Sequence, residues 1–486
     1  MCIKIYNSLT RKKDEFKPLK DGEVSMYVCG PTVYDFSHIG HARSAVTFDI
    51  IYRYLQYRGY NVKYARNYTD IDDKIINRAN EQGVSWETIA ERYIKAFDED
   101  MDALCVALPT YRPKATDTIP QIIALVQKLI DKNYAYTVEG TEIDGQKAFD
   151  VYYRVRNFKE YGKLSGKNIE CLESGARIEV DDRKEDPLDF ALWKASKPGE
   201  PAWDSPWGKG RPGWHIECSA MSQSLLGDTI DIHGGGKDLI FPHHENEIAQ
   251  SEAATGEPFV RCWIHNGFVN IDEEKMSKSL GNILNIQDTL KAYSPEAVRL
   301  FLISSHYRSP IDYTPDTLSE AESTLERYYI TLERMDKEWP EVTSGNVDKE
   351  TKKERIQPFL NAMDDDFNTA IAIGRIFDEV HAANRLMDRA GQEGVDELNK
   401  YLPIIRDIFK EVGSFLGVFH RSSEEYFEEK KNRLTISEDE VNSLIRERKK
   451  ARENKDWKRA DEIRAKLDNK GVSLEDTSEG TVWRVR

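Results

Sequence analysis

Apolar and polar positions along the first 110 residues alternate in blocks that name their own elements. The run Val24-Ser25-Met26-Tyr27-Val28-Cys29, stopped by Gly30-Pro31, predicts a short buried strand over 24–29. Over 39–58, Ala45, Val46, Phe48, Ile50, Ile51, Tyr54 and Leu55 recur at helical spacing and fill a wide face. A second strand is expected over 61–67 and a second helix over 86–103. This alternation is how a parallel sheet with crossover helices reads. The pattern lapses between about 111 and 210. Turns, the charged run 181–186 and a Pro/Gly/Trp-rich stretch over 197–213 predict an insertion there. It resumes at Trp214, with strands expected over 229–233 and 263–269. From about 316 to 430 the period is helical, as in 318–333, 368–387 and 402–419, with a loop expected over 342–347. Two further charged helices are expected over 437–467, then a small strand over 481–485.

Composition narrows the setting. A chain of 486 residues can bury a large core and divide into roughly two to four domains. Six cysteines without close pairing, and no apolar stretch after Met1, argue for the cytosol and against disulfides. No run approaches the roughly 20 apolar residues of a membrane span. A net charge of −16 opposes indiscriminate nucleic-acid binding, so a polyanion must meet a local basic surface. Residues 446–466 supply one, with ten Lys/Arg against five Asp/Glu. Trp457, set among Lys455, Lys458 and Arg459, adds a stacking surface suited to an unpaired base. Asp461 and Asp476 are acceptors for base amino groups. Charge alone fits a solvated helix face equally.

Two motifs about 235 residues apart carry the chemistry. His38-Ile39-Gly40-His41 lies between the first strand and the first helix, where open α/β sheets bind nucleotides. A helix N-terminus offers N–H groups and a favourable dipole to phosphates. Gly40 lets a ligand approach the backbone, and His38 and His41, three apart, can project to one side. Lys275-Met276-Ser277-Lys278-Ser279 can close two lysines over a departing pyrophosphate. Either motif alone is weak; in this order they read as two halves of one ATP site.

Seven of the ten histidines, at 38, 41, 215, 233, 243, 244 and 265, fall in the nucleotide-binding part. On a helix starting near Pro242, His243 and Glu247 face one way, and that pair suits Zn²⁺. Cys29 and Cys218 can supply soft ligands. The spacing is not that of a zinc finger, and it leaves open that both cysteines are core residues and His243/Glu247 a surface pair.

Taken together, 29–35, 38–41, 67–74, 213–218, 231–235, 241–247 and 275–279 resemble the class I aminoacyl-tRNA synthetases, and within them the cysteinyl-tRNA synthetase family. The resemblance spans essentially the whole chain, with 335–350 and 420–435 lacking a clear counterpart. It implies an α/β fold: a Rossmann-like parallel-sheet catalytic domain (1–110 and 211–260) with a connective insertion (111–210). A loop and stem-contact region (261–315), an α-helical bundle that binds tRNA (316–430) and a small C-terminal α/β anticodon module (431–486) follow. It implies one Zn²⁺ per chain on Cys29, Cys218, His243 and Glu247, and Mg²⁺ accompanying ATP. His38 and His41 would hold the phosphates, Lys275 and Lys278 would offset charge on pyrophosphate, and Lys278 would have the larger effect. Thr69, Trp214 and His233 resemble the amino-acid pocket, although Trp214 also fits as a core aromatic. His215, His244 and Glu245 fit supporting or packing roles.

The implied reaction joins L-cysteine to tRNA(Cys) through cysteinyl-adenylate. Its first step needs positioning and charge neutralisation rather than a base, because the carboxylate is already an anion. Zinc would select thiol over hydroxyl where an apolar pocket separates near-isosteres only about 10–200-fold. The nearest alternative is an ATP-dependent cysteine:amino-sugar ligase, which the roughly 170 residues after 316 oppose. A non-catalytic tRNA-binding protein of the same fold is opposed by the intact His and Lys motifs. A monomer is expected.

Overall fold

The computed structural model describes residues 2–143, 146–168, 182–271, 274–275, 284–393, 395–477 and 480–485. Its centre is a four-stranded sheet of β1 (Glu23–Val28), β2 (Asn61–Arg66), β3 (Ile230–Gly236) and β4 (Val260–Asn266). The order is β4-β3-β1-β2 and every pair is parallel. Both faces are covered, so β1 reads as an apolar run, with Met26, Tyr27 and Val28 at most 1% exposed. The chain leaves β1 through α1 (Ile39–Tyr57) to reach β2 on one side, while β3 lies on the other. The carboxyl ends of β1 and β3 therefore flank a topological switch point, where such sheets take their ligands. Register sets Tyr27 beside His233 and His233 beside Trp263, a row of rings across three strands.

The expected helix at 39–58 is α1 almost to the residue. Its buried stripe also contains Arg43 and Asp49, each 1% exposed. Asp49 accepts from Arg53 (2.9 Å) and pairs with Arg299, so the buried charge is matched. Helix α2 (Trp86–Ala103) also forms where expected, started by the Ser85 hydroxyl accepting from Thr88 N–H.

Several boundaries differ, each for a local reason. The strand expected at 229–233 runs on through Gly234–Gly236, because a Cβ on Gly234 would meet the Phe48 ring at 2.2 Å and only glycine lets the layers close. The strand expected at 263–269 is two, β4 and Val269–Ile271, separated at Gly267, where a Cβ would lie 2.2 Å from the Ser309 carbonyl oxygen. The loop expected at 342–347 begins late, after the short helix α5 (Pro340–Thr343) opened by its proline. The insertion holds more order than its turns suggested: a helix Ile119–Asp131 and an antiparallel sheet of Ala135–Ile143, Gln146–Tyr153, Phe190–Ala195 and Gly210–Pro212.

The molecule divides into two compact units that do not follow chain order. One comprises Met1–Thr324, Asp348–Glu379 and Ile408–Val418; the other comprises Leu325–Val347, Val380–Asp407 and Phe419–Arg486. The second unit ends in α6 (Glu438–Glu453), α7 (Trp457–Asp468) and an antiparallel hairpin of β5 (Val472–Thr477) and β6 (Gly480–Val485). These pack on Val441, Leu444, Ile463, Leu467, Val472 and Leu474. Sequence patterning had given only the last of the two strands. No helix among the described residues is long and apolar enough to cross a membrane.

Candidate functional site

The His38–His41 turn is a cap built from imidazoles. His38 is the N-cap of α1; its Nδ1 accepts from Gly40 N–H (3.1 Å), and His41 Nδ1 accepts from His38 N–H (3.3 Å). The rings stack at 3.8 Å between centroids. With both Nδ1 atoms accepting, the proton of each neutral ring sits on Nε2, so each Nε2 is a donor.

The second motif is only partly described. Lys275 lies in the strand Glu274–Lys275, its backbone paired to Asn270. Lys278, with Met276, Ser277 and Ser279, lies outside the described residues. The chain is described again at Leu284, and there it meets the first motif: Ile39 N–H donates to Leu284 O (3.0 Å) and Ile286 N–H to Ser37 O (3.1 Å).

The four candidate metal ligands converge from separate elements. Cys29 follows β1, Cys218 lies on α3 (Trp214–Leu226), and Glu247 is in the first turn of α4 (Glu245–Thr255), with His243 just before it. All are buried. Cys29 Sγ is 3.6 Å from Cys218 Sγ, 3.5 Å from His243 Nε2 and 3.4 Å from Glu247 Oε1, and the last two atoms are 3.0 Å apart. A tetrahedral zinc with bonds of about 2.0–2.3 Å has ligand–ligand edges of about 3.3–3.8 Å; the three distances from Cys29 fall in that range, and the His243–Glu247 pair is shorter. The donor set and its spacing fit such an ion. Phe241 is extended (φ −139°), and the chain turns helical after it and continues into α4 at Glu245, so His243 and Glu247 meet as a pair four apart.

The charges agree. A hydrogen bond from Cys29 brings the Cys218 thiol down to about 6, against the effect of burial. Burial, then that same bond, pushes the Cys29 thiol well up. Burial alone would depress His243, but Glu247 and Cys218 together outweigh it and raise the imidazole to about 10. Burial opposes ionisation of Glu247 too, and the charges of His233 and His243 overcome it, holding the carboxyl well below its usual range. A cation entering this cluster displaces protons from groups already aligned.

A cavity of about 380 Å³ brings Cys29, Cys218 and His243 together with His38, Gly40 and His41. Thr69 and Trp214 also line it, and Trp214 stacks on His243 at 4.4 Å. It is also 37% exposed, which removes the reading of Trp214 as a core aromatic. His233, the third residue expected in the amino-acid pocket, is not among the residues lining this cavity. Fully buried and stacked on Trp263, it bonds Glu247 Oε2 through Nε2 (2.9 Å) and so orients the carboxylate.

The supporting residues have definite tasks. His215 Nδ1 is 3.0 Å from His243 Nδ1, and His244 Nδ1 is 2.8 Å from His265 Nε2. Glu245 accepts from the N–H groups of Gly162 and Ser165, pinning the insertion to α4. Sequence reasoning missed Asn67, whose Oδ1 accepts from Gly30 N–H (2.8 Å) and Cys218 Sγ (3.8 Å) while its Nδ2 donates to Thr69. Asn67 comes so close that a Cβ on Gly30 would lie 1.7 Å from its carbonyl oxygen. Glu217 was missed as well; burial at 1% exposure pushes its pKa well up.

In the C-terminal module Trp457 is 58% exposed at the start of α7, and Arg459 pairs with Glu447 (2.6 Å) and Glu462 (3.3 Å). Asp461 is exposed on the same helix. Asp476 corrects an expectation. Oδ1 accepts from Arg448 (2.9 Å) and Thr481 (2.7 Å), and Oδ2 from Arg448 (2.9 Å) and Arg452 (2.7 Å). Its roughly four acceptor positions are filled, so it fastens β5 to α6 and is not an acceptor for a base.

Comparison with known proteins agrees along the chain. The family described as tRNA synthetases class I (C) catalytic domain matches residues 15–323, the DALR domain 358–420 and the cysteinyl-tRNA ligase anticodon binding domain 437–484. The cysteine–tRNA ligase of Thermodesulfovibrio yellowstonii is 55% identical over 492 residues, and that of Geobacter metallireducens 53% over 496, each covering all of both chains. Methionyl-tRNA synthetase of Mycobacterium tuberculosis, solved with methionyl-adenylate, shares the fold with a TM-score of 0.61 at 15% identity. That match covers 84% of this chain and 94% of the other.

Proposed function

This chain belongs to the cysteine–tRNA ligase family of class I synthetases, and on that premise we propose how its residues divide the work. The enzyme joins L-cysteine to tRNA with ATP, through cysteinyl-adenylate and then transfer to the terminal adenosine of tRNA(Cys). The observation that carries the assignment of roles is the single cavity lined by both the imidazole cap and the thiol–imidazole cluster.

His38 and His41 donate from Nε2 to the phosphates of ATP at the N-terminus of α1, where Gly40 admits the ligand close to the backbone. Lys275 and Lys278 neutralise the departing pyrophosphate, with Mg²⁺ on the phosphates. Cys29, Cys218, His243 and Glu247 hold one Zn²⁺, whose chemistry when bound is to favour a thiolate over a hydroxyl. Trp214 and Thr69 close around the amino acid, His233 holds Glu247 in its ligating rotamer, and Asn67 ties the Cys29 and Cys218 elements together. The bundle at 316–430 spans toward the anticodon, and the module at 431–486 meets it through Trp457, Arg459 and Asp461. We take the enzyme to be a cytosolic monomer.

Charging of a transcribed cysteine tRNA tests this reading. Cysteine-dependent exchange of pyrophosphate into ATP together with charging is the expected result. Exchange without charging would transfer the assignment to the amino-sugar ligase alternative.

A further inference from the structure

Two large apolar side chains on the cavity lining are exposed among the described residues: Trp214 (37%) and Phe36 (42%). Trp214 has a task, because it lies on the candidate metal ligand His243. Phe36 has none in the reaction described so far. What makes this ring informative is its place, on the lining of the reactive cavity, where an incoming ligand would meet its face.

The surroundings narrow that partner. The ring rests edge-on against Tyr93 (5.2 Å between centroids, 88°), an arrangement that supports it. The backbone beneath is fixed: Arg78 bonds the Asp35 carboxylate (2.9 Å) and the Tyr34 carbonyl (3.4 Å), and Phe36 N–H donates to Asp35 Oδ1 (3.0 Å). Exposed Lys74 sets its ammonium 5.2 Å from the centre of the Tyr34 ring, and it too lines the cavity. A rigid aromatic face beside cations is the surface on which an unpaired nucleobase stacks while its phosphate is neutralised.

Two adenines visit this site, that of ATP and that of the tRNA end. The ATP site is set by the α1 cap, with its phosphates at His38 and His41. The tRNA end arrives last and from outside, and its base needs a seat at the rim. We propose that Phe36, with Lys74 on the same cavity lining, seats the 3′-terminal nucleoside of the tRNA and so positions the ribose hydroxyl for transfer. This rests on the synthetase reading above and adds a residue to its second step.

The two half-reactions separate the possibilities. In Phe36→Ala, cysteine-dependent pyrophosphate exchange should stay within about twofold of the parent, with the KM for ATP unchanged. Single-turnover transfer from the preformed adenylate should slow by about tenfold or more, as loss of one stacked base predicts. Phe36→Leu keeps the packing on Tyr93 without the π face and should lose transfer similarly, which guards against a folding defect in the alanine variant. Phe36→Trp should restore transfer, and Lys74→Gln should weaken tRNA binding and lessen its salt dependence. Unchanged transfer in both Phe36→Ala and Phe36→Leu would overturn the proposal while leaving the synthetase reading intact. A raised KM for ATP in exchange would also overturn it, by assigning the ring to the nucleotide of the first step. Absence of exchange in the parent protein would instead sink the reading on which it rests.

Discussion

The thiol–imidazole cluster and the C-terminal module both prepare to bind something, and they do so in opposite ways. In the cluster every donor is buried, and the carboxylate and imidazole are each held by a further partner, Glu247 by His233 and His243 by His215. In the module the side chains with binding chemistry stand in water, and Arg459 rests in half-exposed ion pairs. Such pairs contribute about 0–1 kcal/mol and exchange readily for phosphates. A small substrate brings few groups of its own, so the protein must complete the site in advance. An RNA brings charges and bases, so a surface need only be kept free and correctly shaped.

Removing one of the proposed metal ligands should give the largest effect. Cys218→Ser is expected to lose the bound metal and cysteine activation together, beyond the roughly 10–100-fold typical of losing an outer partner. Metal analysis beside pyrophosphate exchange reads both, and a variant that keeps full activation without metal would separate the two properties. Next comes His233→Ala, expected to weaken metal affinity about 10–100-fold by freeing the Glu247 carboxylate. Unaltered affinity in a chelator competition would show that Glu247 needs no orienting partner.

In the module the equivalent change should be smaller and confined to RNA. Asp476→Asn loosens the hairpin from α6, so the KM for tRNA should rise severalfold while exchange is unaffected. The arginines beside Asp476 hold its carboxyl well below the usual range. Its charge therefore contributes stability above about pH 4, and that contribution is lost as pH falls through the depressed value. Fluorescence of the parent during acid titration should report the loosening, and the asparagine variant should lack that acid-dependent step. An identical titration in both would mean that the hairpin is held by its apolar core alone.

The smallest effect concerns Asp100, whose carboxyl is raised to about 6 by burial, with one oxygen lacking a partner. A carboxyl raised in the folded state favours folding below about pH 4 and loses that contribution as pH rises toward 6. Asp100→Asn should raise Tm by about a degree or two at pH 7 and leave it unchanged at pH 4. A lower Tm at pH 7 would mean that the charged form has a partner on which the fold depends.

What could be read from sequence follows the same divide between local and assembled features. The strand–turn–helix around His38 was legible because stop, cap and periodicity lie within some 35 residues. His243 and Glu247 were legible as a pair four apart, but Cys29 and Cys218 meet across 189 residues of chain, and from the residues alone their joining that pair stayed one of two open readings until the family resemblance. Asn67, Glu217 and the hidden position of His233 could not be read at all, because each depends on burial, which exists only after the sheet has closed. Asp476 misled for the complementary reason: its acidity is a sequence property, and the Arg448 and Arg452 that occupy it are a property of the fold.

The sharpest test of the completed site is X-ray absorption at the zinc edge, recorded on the loaded enzyme with and without L-cysteine. Two sulfur donors at about 2.3 Å should become three when cysteine is added, and serine should change nothing. A sulfur count that stays at two while the enzyme still activates cysteine would contradict selection by the metal.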